Sequence, residues 1–106
     1  MHIYNTTLVC SDNDLPALLG FLRSEVIPVL LEEGLAASPR LARVISSLPG
    51  ASEDAESVSL QFEFGDMVSL AGWKKRHLPR GLEALNRKFG QKVLVFSTVL
   101  QQLPHA

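Results

Sequence analysis

The most regular pattern in the chain is a strict alternation of apolar and polar residues from Val58 to Phe64. Because successive side chains of a strand point to opposite faces, this alternation predicts a strand with one buried and one open face. The apolar parity is Val58, Leu60, Phe62 and Phe64, and the polar parity is Ser59, Gln61 and Glu63. The segment from His2 to Cys10, rich in β-branched residues, predicts a second strand.

The residues that follow this first strand have a helical pattern. From Leu15 to Leu30, apolar residues recur at the spacing of one helix face. Pro28 lies inside this segment and predicts a bend, because proline removes a backbone hydrogen bond. Gly34 is expected to end the helix.

A second helical pattern begins after Asp66, the expected N-cap, and continues to Phe89. Pro79 interrupts it as Pro28 interrupts the first. The two halves of the chain also match weakly in sequence, since Pro28–Glu32 and Pro79–Glu83 have proline and glutamate at the same offsets. The chain therefore contains two related strand–helix–strand units.

Three further segments complete these units. Arg40–Ser46 predicts a strand, and Leu48–Glu56 predicts an acidic, turn-rich loop. The segment Lys92–Leu103 is apolar on both parities, which is typical of a central strand or of a strand covered on both faces.

The resulting order, βαββαβ, predicts an α+β fold of the ferredoxin-like type: a four-stranded antiparallel sheet with two helices on one face. We expect one domain over residues 1–106. An apolar last strand also predicts that the second sheet face is covered, most simply by a second copy of the chain. The fold class thus carries the prediction of a homodimer paired through the sheet face.

Composition places this domain in a reducing compartment. The single cysteine, Cys10, cannot form an internal disulfide, and the sequence lacks both a membrane-spanning apolar run and a signal peptide pattern. We therefore expect a cytoplasmic protein that does not associate with a membrane.

The net charge of −1 conceals an uneven distribution. Residues 1–66 carry ten of the eleven acidic residues, whereas residues 67–106 carry seven of the ten basic residues. Either the two halves complement each other electrostatically, or the second helix carries a patch for an anion or a nucleic acid. The sequence pI near 6.3 argues against nucleic-acid binding. So does the carboxylate of Glu63 on the open face, where RNA-recognition domains stack bases on aromatic residues.

A set of polar residues is expected on the open face of the sheet. Its members are Asn5, Thr7, Arg43, Gln61 and Glu63. An amide, a guanidinium, a carboxylate and hydroxyls beside apolar residues would suit a small polar or acidic ligand. The alternative is that they bond across a dimer interface, with Arg43 paired to Glu63.

Other reactive residues give weaker indications. His77 could act as a general base or could lie on a solvated basic helix face. Cys10 has no predicted base beside it and is expected to be a buried free thiol. Trp73 and Phe21 lie off the apolar stripes of their helices, so they either anchor a partner or cover the edge of the sheet. No cluster has the short spacing of a metal site, and no cofactor motif occurs.

Several segments together resemble a family of short bacterial proteins, domain-of-unknown-function family 4286. They are Ile3–Thr7, Val26–Leu30 with the following Gly34-Leu35, Leu60–Phe62, Phe89-Gly90 and Val95–Leu100. The resemblance covers nearly the whole chain in the same order. It implies a ferredoxin-like fold that pairs as a dimeric α/β barrel, and it implies no established activity.

Three functions are consistent with these features. The first is a small homodimer that is non-catalytic or binds a small ligand. The second is a cofactor-free oxygenase or isomerase, which requires Arg43, Glu63, Gln61 or His77 to converge on one pocket. The third is an adaptor that binds an acidic partner through Lys74, Lys75, Arg76, Arg80, Arg87 and Lys88.

Overall fold

The computed structural model describes residues 1–45 and 55–104 of the chain. The strands are His2–Ser11 (β1), Ala37–Val44 (β2), Ala55–Phe64 (β3) and Leu94–Gln101 (β4). The α-helices are Leu15–Phe21 (α1), Ile27–Leu30 (α2), Met67–Arg76 (α3) and Leu78–Phe89 (α4). A π-helical turn, Leu22–Val26, joins α1 to α2, and short 3-10 turns occupy Asp12–Asp14, Glu32–Gly34 and Gly90–Lys92.

The four strands form one antiparallel sheet in the order β2-β3-β1-β4. The helices pack against one face of this sheet, which we call the helix side, and the opposite face is the open face. This arrangement confirms the predicted α+β, ferredoxin-like fold.

The two central strands divide their side chains between these faces as the alternation predicted. On β3, Val58, Leu60, Phe62 and Phe64 are buried beneath the helices, whereas Ser59, Gln61 and Glu63 are only half-buried. On β1, Tyr4, Thr6, Leu8 and Cys10 are buried on the same side. The strict alternation therefore identified the buried face of the sheet correctly.

Trp73 lies at the centre of the core. Its ring centroid is 5.1 Å from that of Tyr4, 5.6 Å from Phe62 and 4.9 Å from Phe64. The indole Nε1 donates a hydrogen bond of 2.8 Å to the backbone carbonyl of Leu30. Trp73 thus joins the sheet to the first helical region and is not exposed to a partner.

The stripe assigned from the sequence misplaced Trp73 because the second helical region is not one helix. α3 ends at Arg76 and α4 starts at Leu78, with Pro79 in the first turn of α4. The interruption changes the phase of the buried face, so a single stripe cannot describe both helices. Phe21 is likewise half-buried within the chain, edge-on to Phe89 at 5.7 Å.

The first helical region is interrupted near Pro28. The π-helical turn precedes Pro28, which then occupies the first turn of α2. Helical backbone continues through Val26 and Ile27, so the π-helical turn accommodates the N–H that Pro28 lacks. The helix ends before the predicted Gly34: α2 ends at Leu30, and the backbone becomes left-handed at Glu33 (φ 66°) and Gly34 (φ 71°). The predicted N-cap is confirmed, because Asp66 accepts a 2.7 Å hydrogen bond from the Ser69 amide.

The prediction of a central position for the last strand is wrong. β4 lies at the edge of the sheet, beside β1, and all eight of its residues are exposed. Both of its faces carry exposed apolar residues, Val95 and Val99 on one and Leu94 and Phe96 on the other.

Two other boundaries differ from the predictions. β2 starts at Ala37, three residues before the predicted Arg40, and the predicted end at Ser46 lies outside the described residues. Most of the predicted loop Leu48–Glu56 also lies outside them, whereas its last two residues belong to β3. Within the described part of the chain, no helix has the length and apolar character to cross a membrane.

Candidate functional site

A network of polar side chains occupies the middle of the open face, with Asn5 at its centre. The Asn5 Oδ1 atom accepts hydrogen bonds from Ser59 Oγ at 2.6 Å and from Gln61 Nε2 at 3.3 Å. The Asn5 Nδ2 atom donates to Thr7 Oγ1 at 3.3 Å. The strand register causes this convergence, because Asn5 lies opposite Gln61 and Thr7 lies opposite Ser59. The structure therefore brings together three of the predicted site residues, Asn5, Thr7 and Gln61.

Glu63 borders this network and forms an ion pair with an arginine. Its Oε1 atom accepts a hydrogen bond of 3.0 Å from Arg40 Nη2. The Glu63 side chain is 19% exposed, whereas that of Arg40 is 63% exposed. The predicted pairing of Glu63 with Arg43 is therefore wrong, because the partner of Glu63 is Arg40.

The predicted position of Arg43 on the open face is wrong. Arg43 lies opposite Val58, a residue of the buried parity, and so belongs to the helix side. Its Nε atom donates a 2.9 Å hydrogen bond to Glu56, and this bond raises the pKa of the guanidinium. The pattern of β2 did not indicate a parity, since Leu41, Ala42 and Val44 place small or apolar residues on both faces.

Arg40 was the site residue that the sequence analysis missed. The register of β2 is irregular between Ala37 and Arg40, where Ser38 has a φ of 51° and Pro39 follows. A Ser-Pro pair at a strand start is a signal for such an irregularity. The strand pairing, which fixes Arg40 opposite Gln61, is a tertiary feature.

An apolar stripe lies beside the polar network on the same face. It comprises Ile3 and Val9 of β1 with Leu94, Phe96 and Leu100 of β4. Phe96 is 59% exposed and lies opposite Thr7 across the β1–β4 pair. Thr98, which lies opposite Asn5, interrupts the stripe between Phe96 and Leu100.

The network retains hydrogen-bonding capacity toward a ligand. Within the described residues, Gln61 Oε1, Glu63 Oε2 and the Thr7 hydroxyl proton have no partner. The network therefore keeps both acceptors and donors that it does not use internally. This combination can bind a small polar molecule that carries both hydrogen-bond donors and an acceptor.

His77 lies far from this network, within the helix layer. One of the two interpretations of His77 placed it on a solvated basic helix face, and that interpretation is wrong because the side chain is buried. It is 3% exposed, at the junction of α3 and α4, and its Nε2 atom is 3.1 Å from Glu33 Oε1. With His77 inside the helix layer and Arg43 at Glu56, the predicted residues do not converge on one pocket. The oxygenase or isomerase hypothesis required that convergence.

Cys10 is a buried free thiol, as predicted. Burial raises its pKa, and the carboxylates of Asp14 and Glu56 act in the same direction. A thiol with a raised pKa is a poor nucleophile. Within the described residues, no three histidine, cysteine or carboxylate side chains are grouped so that they could hold a metal ion.

Several basic residues of the second helical region pair with glutamates. Arg76 lies 3.3 Å from Glu33, and Arg80 bonds to Glu32. The Arg80 hydrogen bond lowers the pKa of Glu32. Both glutamates belong to the acidic half of the chain, so the electrostatic complementarity of the two halves is present in the structure.

The fold is shared with solved structures of low sequence identity. A protein of the ethyl tert-butyl ether d (ethd) family from Bacillus halodurans C-125 is 15% identical, with a TM-score of 0.66 over 97% of this chain and 100% of its own. A Deinococcus radiodurans protein assigned provisionally to the antibiotic biosynthesis monooxygenases is 13% identical, with a TM-score of 0.69 over 100% of this chain and 96% of its own. A protein from an uncultured marine organism, described as dimeric and ferredoxin-like, is 13% identical, with a TM-score of 0.54 over 100% and 98%.

Sequence comparisons agree with the resemblance found in the sequence. No curated protein matches the chain. The family described as Domain of unknown function (DUF4286) matches residues 1–103. This chain therefore belongs to that family.

Proposed function

We propose that this protein is a cytoplasmic homodimer that binds a small polar ligand between the open faces of two sheets. The proposal rests on one observation above all: the open face combines a connected polar network with an exposed apolar stripe. The stripe would be buried by a second copy, and the network would line the enclosed space. Asn5, Thr7, Gln61 and Glu63 are the proposed ligand-binding residues, joined by Ser59 and Arg40.

The apolar stripe supports the dimer. Phe96 and Leu94 are more than half exposed, at 59% and 55%, and Leu94 lies opposite the apolar Val9. Burying apolar surface contributes roughly 25 cal/mol per Å². A face-to-face contact would also cover the half-buried network, whose remaining polar atoms then need partners. The related dimeric ferredoxin-like protein supports pairing at the level of the fold.

The network supports ligand binding over a purely structural role. Its four hydrogen-bonded residues satisfy each other in part, so the face is preorganised and still offers acceptors at Gln61 and Glu63. Preorganised groups lose little conformational freedom on binding, which favours affinity. The reduced free thiol of Cys10 fits the proposed cytoplasmic location.

Light scattering on the purified protein tests the dimer. We expect a dimer at micromolar concentration and a monomer for Phe96→Glu, because the substitution places a charge in the apolar stripe. The matched control is Val68→Glu, since Val68 is 82% exposed on α3 and lies outside the open face. A monomeric native protein would overturn the proposed assembly.

Thermal unfolding with small probes tests the ligand site. The probes are short-chain hydroxy acids, amides and polyols, chosen because they carry donors and acceptors at adjacent atoms. We expect at least one class to raise the Tm of the native protein by mass action. The increase should be absent from the Asn5→Leu and Gln61→Leu variants and retained in Val68→Glu. An equal increase in all of these variants would place binding elsewhere.

A further inference from the structure

β4 presents an edge that no strand occupies in the described part of the chain. It pairs with β1 along one edge only, and all eight of its residues are exposed. The strand contains no charged residue, no proline and no glycine. Backbone donors and acceptors on such an edge form a template for another strand.

The opposite edge strand, β2, differs from β4 because it carries charged residues and a proline. β2 carries Arg40 and Arg43, and its register is interrupted at Ser38 and Pro39. Charges, proline and irregular register are the features that prevent strand addition at an edge. The chain therefore protects β2 and leaves β4 open.

Two pockets lie on the helix side of β4, and we call them together the groove. Near α3 it has a volume of about 360 Å³ and is lined by Met67, Leu70, Ala71, Lys74, Lys75 and Val99. Near α4 it has a volume of about 280 Å³ and is lined mainly by Leu82, Leu85, Val93 and Val95. A strand added to β4 would place alternate side chains in this groove.

The charge of the groove favours an acidic occupant. Lys74 and Lys75 line its α3 end, and no described carboxylate lines either part. The Lys74 Nζ atom lies 5.9 Å from the Tyr4 ring centroid, and Tyr4 is opposite Val99 on β4. Unlike Arg76, Arg80 and Arg87, the two lysines form no ion pair with a described residue.

We infer that β4 binds an extended segment of another protein, as an added strand in which carboxylates alternate with apolar residues. The carboxylates would face Lys74 and Lys75 on the helix side. The apolar side chains would extend the open face beside Phe96 and Leu100. The contact is a hydrogen-bonded ladder along the edge of β4, whereas the proposed homodimer packs through the open face, so peptide binding and oligomeric state are measured separately.

Fluorescence anisotropy with labelled peptides tests this inference. The probe is a peptide of alternating valine and glutamate, as long as the eight residues of β4. We expect micromolar binding that weakens with added salt. A valine–lysine peptide of the same length should bind at least about tenfold more weakly, because like charges then meet at the groove. A valine–glutamate peptide with N-methylated backbone amides should also lose binding, because it cannot form the ladder.

Variants of the protein locate the contact. Lys74→Glu with Lys75→Glu should weaken binding by about tenfold. The matched control, Arg23→Glu with Lys88→Glu, changes the net charge equally at exposed positions on the helical layer and should bind normally. Equal affinity for the two pairs of variants, or for the N-methylated peptide, would overturn the inference. Light scattering on the same samples reports the homodimer separately.

Discussion

The side chain of Leu30 packs directly on the backbone of Gly81, where the two helical regions of the chain cross. A Cβ atom on Gly81 would lie 2.8 Å from Leu30 Cδ2 and 3.2 Å from Leu30 Cγ. The two residues occupy corresponding positions of the weak internal repeat, Pro28–Glu32 and Pro79–Glu83. The repeated segments therefore meet each other in the core, one contributing a large side chain and the other the space for it.

Replacing Gly81 by alanine should destabilise the protein. Overpacking a core costs about 1–3 kcal/mol, whereas alanine in a helix gains only about 0.5–1 kcal/mol over glycine. We therefore expect a net loss of about 1 kcal/mol in chemical denaturation. The control, Gly20→Ala, lies in α1 with no atom within 4 Å of the added Cβ and should instead be stabilising.

Making Gly81→Ala in the Leu30→Ala background shows whether the close approach of Leu30 to Gly81 causes the loss of stability. Without the larger side chain, Gly81→Ala should become neutral or stabilising, because only the gain in helix propensity remains. Denaturation of the double variant measures this reversal. The same loss in both backgrounds would contradict the explanation.

Trp73→Phe should destabilise the core by about 2–4 kcal/mol, since it leaves the buried carbonyl of Leu30 without its donor and opens a cavity. The carbonyl accepts a 2.8 Å hydrogen bond from Trp73 in the native protein. Urea denaturation measures the loss. A cost below about 1 kcal/mol would mean that water or another donor replaces the indole.

Asp66→Ala should lower the Tm, because Asp66 caps α3 through the Ser69 amide. The same hydrogen bond lowers the pKa of Asp66 in the folded protein. A carboxylate with a depressed folded pKa stabilises above its unfolded pKa, and this contribution is lost as the pH falls through the folded value. The difference in Tm between native protein and variant should therefore be full at neutral pH and shrink in acid. A difference independent of pH would exclude the charged cap as its source.

Cys10→Ala separates the contribution of the thiol to pH-dependent stability. Burial raises the folded pKa of Cys10 above the ordinary value of 9.0. The stability that the neutral thiol contributes is full below the unfolded pKa, and it declines as the pH rises from there through the folded pKa. As the pH rises from neutral to strongly alkaline, the denaturation midpoint of the native protein should fall relative to that of the variant. We also expect native Cys10 to react with a thiol reagent far more slowly than the unfolded chain.

The fold was largely predictable because its signals are local. The alternation from Val58 to Phe64 identified the buried face of β3, and Asp66 marked a helix start through backbone chemistry that needs no distant contact. The order of strands and helices then restricts the topology to few alternatives. The fold class followed from these features and is confirmed. The family, inferred from the resemblance of several segments, is confirmed as well.

The candidate site was predictable only in part. The meeting of Asn5, Thr7 and Gln61 was predictable because the pattern of β1 and β3 showed which residues share the open face. The parity of β2 was not clear from its pattern, because its apolar residues fall on both faces. An irregularity at Ser38 and Pro39 sets the register of this strand. As a result Arg43 was expected where Arg40 lies.

The sequence by itself determined which strands alternate, where the two helical regions lie, and that the last strand is apolar on both parities. Only the tertiary structure decided that this strand, β4, is an edge, that Arg40 faces Glu63, and that Trp73 fills the core. The physical reason is that periodicity reports which faces of an element avoid water. Strand order, register and helix phase depend instead on contacts between residues far apart in the chain, such as those of Leu30 with Trp73 and Gly81.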